Sequence, residues 1–305
     1  MRVLILYNPI SGSGDSEARA AELARTLNAS DSSLSGAHRA EIQPTSLDPT
    51  ESWLDPLLSE GVELLVVVGG DGAMRMAAPA AMRCGTTIYH YPGGTENLFA
   101  REYGMRADPT VLIDAIEHGE PVSVDAFEFD GAFGLICASV GLDAGIIHDL
   151  DAHRSGAITH LSYLGPLLRQ SLAWRRNPPR WRITVDGRTL TEWSSGLMLL
   201  ANSPQYALRL DPVFHANPSD GRLDAAHFPT RGLLGLLGWA IRFRRRSQFR
   251  RGSARIDCGA EIRIEVDRPV HAQLDGDLLP GPPRSTYHCR VVRSAFSVLP
   301  PAVRE

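Results

Sequence analysis

Three short turns hold the residues whose types and spacing could do chemistry. Gly69-Gly70-Asp71-Gly72 closes a continuous apolar run, Val62–Val68, and opens an Ala/Met-rich stretch with helical character. Glycines let a backbone turn tightly and approach a phosphate without a Cβ clash. A helix that starts there offers unpaired N–H groups and the positive end of its dipole. Asp71 is itself an anion. It would hold Mg²⁺ through water, accept from a ribose hydroxyl, or serve only as a helix cap at a plain strand-to-helix turn. Asn8-Pro9-Ile10-Ser11-Gly12 and Pro92-Gly93-Gly94-Thr95-Glu96-Asn97 repeat the arrangement, each after an apolar strand and before a helix. In a parallel sheet all three turns gather at the carboxyl ends of the strands, where open α/β sheets bind ligands. Three such turns together point to a nucleotide site.

The elements that position these turns are legible from apolar runs and turn residues. Strands are expected at Val3–Tyr7, Ala40–Pro44, Val62–Val68 and Thr86–Tyr91. Helices are expected at Glu17–Leu27, Ser52–Ser59, Ala73–Cys84, around Asn97–Tyr103 and at Pro109–His118, with Pro79 interrupting or bending the third. This alternation reads as an open α/β domain. Near residue 122 the pattern changes to short β-rich runs at Val122–Phe129, Gly131–Val140, Arg180–Val185, Gly196–Ala201, Leu223–Phe228, Glu261–Val266 and Tyr287–Val292. Helical stretches are expected near His160–Trp174 and Leu233–Phe243. This half reads as a mostly antiparallel second domain. The expected division is 1–122, with 294–305 returning to it, and 123–293.

Composition removes several alternatives. All 31 basic residues among the 305 are Arg, and there is no Lys. A Walker-type loop, a Schiff-base or pyridoxal-phosphate enzyme and a protein kinase each need a Lys, so none is available in its usual form. Phosphate would have to be held by Arg, backbone N–H groups, hydroxyls or metal. A net charge of −4 argues against a dedicated nucleic-acid binder. The four cysteines make no CxxC pair and read as buried thiols in a reducing compartment. With no transmembrane run or signal-peptide core, a cytoplasmic location is expected.

The ordered motifs resemble the diacylglycerol kinase catalytic-domain family, the bacterial lipid kinases and their sphingoid-base and ceramide kinase relatives. Asn8, Pro9, Ser11 and Gly12 match its N-P-x-S-G. Gly69–Gly72 match G-G-D-G, and Pro92, Gly94, Thr95, Asn97, Phe99, Ala100 and Arg101 match P-x-G-T-x-N-D-F-A-R. Gly141-Leu142-Asp143-Ala144, Ala201-Asn202-Ser203, Asp220-Gly221-Arg222-Leu223-Asp224 and Gln273-Leu274-Asp275-Gly276-Asp277 follow in family order. The resemblance implies a nucleotide-binding α/β domain and a β-sandwich-like domain, ATP bound between them, and a lipid hydroxyl as acceptor. By the same resemblance Asn8, Ser11, Gly12, Thr45, Gly70, Asp71, Gly72, Thr95 and Asn97 fall on nucleotide-binding positions. Asp220 falls on a structural Mg²⁺ ligand, with Asn217 and Arg222 as carbonyl donors. Asp277 falls on the catalytic base, normally Glu.

The chain also departs from the family. Ala73 replaces the Thr after G-G-D-G, Arg75-Met76 replaces N-E, and Leu98 replaces an Asp beside Asn97. These departures keep two alternatives in view: a weak or inactive member that binds nucleotide or lipid as a regulatory protein, and an NAD kinase, which shares G-G-D-G. Leu233–Ile241, followed by Arg242, Arg244, Arg245, Arg246, Arg250 and Arg251, reads either as an edge for an anionic membrane surface or as the solvated face of a core helix. A lipid substrate at the inner membrane surface and peripheral attachment there are expected, and a homodimer is left open.

Overall fold

The structure, a computed structural model, describes residues 1–9, 15–32, 36–152, 164–250 and 254–302. It divides into two compact units, Met1–Val124 with Ser294–Glu305, and Asp125–Arg293.

The first unit runs β1 (Arg2–Tyr7), α1 (Ser16–Ala29), β2 (Asp31–Ser32), β3 (Gly36–Ala37), β4 (Arg39–Pro44), α2 (Thr50–Ser59), β5 (Leu64–Gly69), α3 (Asp71–Cys84), β6 (Thr87–Pro92), α4 (Leu98–Glu102) and α5 (Pro109–His118). All six residues of β5 are buried, as expected for an interior parallel strand covered on both faces. The sheet order is β6-β5-β1-β4, with the end of the chain's last strand beside β6, and every pairing is parallel. Counted along the chain, these four strands lie in the order 2-1-3-4, so the winding reverses between β1 and β5. That reversal is a topological switch point, which opens a crevice outside the strand ends.

Pro79 lies inside α3 and does not end it. Pro lacks the N–H that would bond one turn back. Around it Ala77, Ala78, Ala80 and Ala81 are fully buried, and tertiary packing of that face keeps the helix continuous.

The second unit contains β7 (Val122–Phe129, which begins at the end of the first unit), β8 (Ala132–Gly134), β9 (Cys137–Val140), α6 (Leu142–Ala152), α7 (Leu164–Arg176), β10 (Trp181–Val185), β11 (Arg188–Ser194), β12 (Gly196–Ala201), β13 (Leu223–Pro229), α8 (Leu233–Arg244), β14 (Arg255–Gly259), β15 (Glu261–Val270), β16 (Ala272–Leu274), β17 (Asp277–Leu278) and β18 (Arg284–Val298). One antiparallel sheet has the order β14-β13-β12-β9-β16-β17. The other has β11-β10-β15-β18, with β7 beside β18 and β8 beside β7. Residues of both sheets share one core: Phe127, Trp181, Ile183, Ile264 and Tyr287 from the second sheet meet Val140, Leu200, Ala225 and Leu274 from the first. This is the packing of a β-sandwich.

The single strand expected at Gly131–Val140 is two strands in different sheets. Between them the buried Asp275 carboxylate accepts from the N–H groups of Leu135, Ile136 and Cys137 at 2.8, 2.8 and 2.9 Å. Those bonds replace ladder bonds and let the chain change sheets. α7 begins at Leu164; the expected helical residues 160–163 lie outside the described residues.

Candidate functional site

In the first unit, register brings the turns together. Tyr7 pairs with Pro44 and Val68, and Gly69 pairs with Pro92. Asn8, Thr45, Gly70 and Gly93 therefore leave the sheet within one residue of the same level. Thr45 donates its N–H to the Tyr7 carbonyl at 2.8 Å, and the Ser16 hydroxyl donates to the Asn8 carbonyl at 2.6 Å. Ser11 and Gly12 lie outside the described residues.

The Gly70 and Gly94 turns are packed backbone against backbone. A Cβ added at Gly94 would lie 2.8 Å from the Gly70 Cα, and one at Gly70 would lie 3.3 Å from the Gly94 Cα. Both positions thus need glycine for close approach. Beneath them the Gly69 carbonyl accepts twice, from the Gly93 N–H at 2.8 Å and from His90 Nε2 at 2.9 Å. His90 is fully buried, and burial pushes its pKa down against the opposing pull of the Asp71 charge. The ring is neutral, with the Nε2 proton directed at Gly69. Sequence reading missed His90; a lone His in an otherwise apolar strand is the signal that was there.

Asp71 has a defined structural task. Its two carboxylate oxygens accept from the N–H groups of Leu98 at 2.9 Å and Phe99 at 3.0 Å. It therefore caps α4 across the turns, whereas its own helix α3 has Gly70 as N-cap and no side-chain cap bond. Each oxygen keeps a second acceptor site. Asn97 adopts a left-handed φ of 49° and is locked to its own turn. Its Oδ1 accepts from the Gly94 N–H at 2.8 Å, and its Nδ2 donates to the Gly94 carbonyl at 2.7 Å. Thr95 and Gly72 are exposed. Arg101 pairs with Glu96 at 3.5 Å. The guanidinium of Arg19, on α1, lies 3.8 Å from where a Gly93 Cβ would be. This places a cation at the third turn that spacing alone did not reveal.

In the second unit, Asp277 is exposed at the start of β17. The hairpin before it is Asp275-Gly276, whose φ values of 51° and 90° suit a type I′ turn. Asp275 fixes this hairpin from below through its three N–H partners. Gln273 fixes it from the side: its Oε1 accepts from the Gly276 N–H at 2.9 Å, while its Nε2 donates to Ser139 Oγ and Asp143 Oδ2 at 3.0 and 3.2 Å. Asp143 also accepts from Ser139 Oγ and Tyr206 Oη, both at 2.8 Å. Burial, with Asp143 adding to it, raises the Tyr206 pKa well above that of a free phenol.

Asp220, Asn217 and Arg222 share one exposed loop. Asp220 Oδ1 accepts from the Arg222 N–H at 2.9 Å, and Asn217 Oδ1 from the Ser219 N–H at 3.1 Å. Asp125, buried on β7, pins the loop by accepting from the Gly221 N–H and donating its own N–H to the Pro218 carbonyl. Nearby, Asp224 is pushed up to about 6 by burial; His215 opposes the rise and the Asp220 charge adds to it. Among the described residues, no group of three or more His, Cys, Asp or Glu is placed to hold a metal.

An α/β unit with its turns at the switch-point edge, joined in one chain to an antiparallel sandwich, defines a diacylglycerol-kinase-like fold. Residues 2–129 match the family model of the diacylglycerol kinase catalytic domain. Two solved structures from Bacillus anthracis str. Sterne are similar over nearly the full length. One, titled as a candidate diacylglycerol kinase, is 18% identical with a TM-score of 0.73, covering 98% of this chain and 95% of that one. The other, titled as a diacylglycerol kinase, is 17% identical with a TM-score of 0.68, covering 98% and 96%. At this identity the likeness is one of fold. No curated protein matches the chain significantly.

Proposed function

We propose that the protein transfers the γ-phosphoryl group of ATP to a hydroxyl of a diacylglycerol-like lipid, with Mg²⁺ as counter-cation. The observation that carries this reading is the glycine-on-glycine packing of the Gly70 and Gly94 turns at the switch-point edge, within the stretch that matches the kinase domain. N–H groups at the start of α3, Thr95, Asn8 and Thr45 would line the triphosphate, with Ser11 and Gly12. Arg19 would supply the positive charge that a Lys provides elsewhere. Phosphoryl transfer depends mainly on such positioning and charge stabilisation.

Asp277 would take the proton from the lipid hydroxyl as its oxygen bonds to the γ-phosphorus and ADP leaves. The shorter Asp works in place of Glu only where the hydroxyl comes within about 2.6–3.2 Å, directly or through one water. Asp71 holds the turns in register and keeps acceptor sites for a metal-bound water. The donor set around Asp220, a carboxylate with the carbonyls of Asn217 and Arg222, fits a hard divalent cation that prefers oxygen. Such a cation neutralises charge when bound.

A second reading, a binding protein without turnover, is favoured by one observation: Asp71, Asn97 and Arg101 already have partners within their own unit. Purified protein with labelled ATP, Mg²⁺ and a lipid panel separates the two. Phosphorylated lipid that disappears in Asp277→Asn, while that variant still binds ATP, supports the kinase. Absence of any phosphorylated lipid supports the binding protein, and labelled NADP from an NAD arm would replace both.

A further inference from the structure

The second unit carries an apolar surface that its own fold leaves uncovered. On α8, Leu234, Leu237 and Ile241 follow at spacings of three and four, so they share one face, and they are 86%, 51% and 55% exposed. Trp239 and Phe243 on the opposite face are buried against Phe228. The helix therefore buries one apolar face and presents a second to solvent. On α7, which packs against α8, Leu168 and Leu172 are one turn apart and 50% and 61% exposed.

Arginines flank this surface at its ends. Arg175 and Arg176 close α7, and the Arg175 side chain lies 3.4 Å from where a Gly232 Cβ would be, at the start of α8 beside Leu234. Arg242, Arg244 and Arg245 close α8, and the Arg242 guanidinium sits over the Trp239 ring at 4.8 Å. Residues 225–256 contain eight arginines and no acid, in a chain whose net charge is −4. Among the described residues, no carboxylate lies within ion-pair distance of Arg175, Arg176, Arg231, Arg244 or Arg245.

We propose that the exposed faces of α7 and α8 form a docking surface for an anionic lipid bilayer. Leucine and isoleucine side chains would enter the acyl boundary while the arginine ends meet the negative headgroups. A second copy of the chain is the poorer occupant. A two-fold contact puts the same patch on both sides, so the arginine ends of one copy would meet those of the other. The surface is independent of turnover, although a lipid acceptor gives it a purpose.

The test uses co-sedimentation of the full chain with phosphatidylcholine vesicles and with mixed phosphatidylcholine–phosphatidylglycerol vesicles, without nucleotide. Binding to the mixed vesicles that weakens with salt is expected. Each surface arginine contributes about fivefold to partitioning, so Arg242→Gln/Arg244→Gln/Arg245→Gln should weaken it by roughly a hundredfold. Leu234→Ser/Leu237→Ser/Ile241→Ser, at exposed positions, should weaken it while leaving the circular dichroism spectrum unchanged. Absence of binding to mixed vesicles, or binding that neither variant alters, overturns the proposal. So does a dimer in sedimentation velocity that the apolar variant dissolves, which would assign the face to a second copy. Because no step needs ATP, a kinase-dead protein that still binds vesicles leaves this inference standing.

Discussion

Replacing Asp71 by Asn tests whether the acid of the glycine turn is a structural member or only a ligand. The carboxylate accepts from two N–H groups at the start of α4. Leu98 and Phe99 are only 8% and 2% exposed, so water does not readily replace it. An amide offers one oxygen and one NH₂. One N–H keeps its partner, and the other then faces a donor. Losing a charge-assisted hydrogen bond and leaving a buried donor unpaired costs about 2–4 kcal/mol. With roughly 2–4 °C per kcal/mol for a domain of this size, the midpoint of thermal unfolding should fall by about 4–16 °C. Asp71→Ala, which removes both acceptors, should fall at least as far. Both variants are measured by thermal circular dichroism alongside lipid phosphorylation. Turnover lost with an unchanged unfolding midpoint in both would refute the cap reasoning and make Asp71 purely a metal or phosphate group.

Gly94→Ala places a Cβ 2.8 Å from the Gly70 Cα. Overpacking of this kind costs about 1–3 kcal/mol, and separating the turns should raise the Kd for ATP as well; calorimetry showing unaltered affinity and stability would contradict the close packing. Arg19→Gln should raise the KM for ATP by roughly tenfold with little change in unfolding midpoint, because an exposed cation at the third turn acts on the ligand rather than the fold; an unchanged KM removes Arg19 from the site. Asp224 is expected to weaken the fold at neutral pH. Its folded pKa of about 6 lies above the value of about 3.9 in an unfolded chain. The native state therefore holds the proton more tightly, the ionised group destabilises above about pH 6, and the penalty fades as pH falls from about 6 to about 4. Asp224→Asn should stabilise by about 1–2 kcal/mol near pH 8 and by nothing near pH 4, and denaturant titrations showing a pH-independent effect would exclude this origin.

The apolar runs made the first unit legible because parallel interior strands are continuous in hydrophobicity and end at glycines. The family motifs made the turns legible as a set. Three Asp-Gly hairpins carried unused information: Asp130-Gly131, Asp186-Gly187 and Asp275-Gly276 each join paired strands with both residues at positive φ. Asp-Gly is a strong hairpin signal, and the one at Asp186 marks β11, which the apolar pattern did not reveal. β16 and β17, at three and two residues, are too short for any periodicity to show. The change of sheet at residues 135–137 depends on Asp275, 138 or more positions later, and no local pattern reveals a bond at that distance. The same holds for Asp71 and α4, and for His90 and Gly69: the spacing displayed the residues, whereas their partners are set by the fold.

Those long-range partners change what the motif acids mean. In a phosphate site built without Lys, backbone N–H groups must converge on the anion, so their geometry has to be held by something other than the ligand. Asp71 holds the α4 turn, His90 and Gly93 converge on the Gly69 carbonyl, and Asn97 closes its own turn in both directions. Asp275 and Gln273 do the equivalent for the hairpin that presents Asp277. Side chains that spacing presents as ligands are thus, in large part, the scaffold that aims the backbone. On the proposed reading, exposed groups such as Arg19, Thr95 and Asp277 would be the ones to meet nucleotide and acceptor. On this division, substitution of the scaffold acids should lower stability and activity together, whereas substitution of the exposed set should lower activity alone.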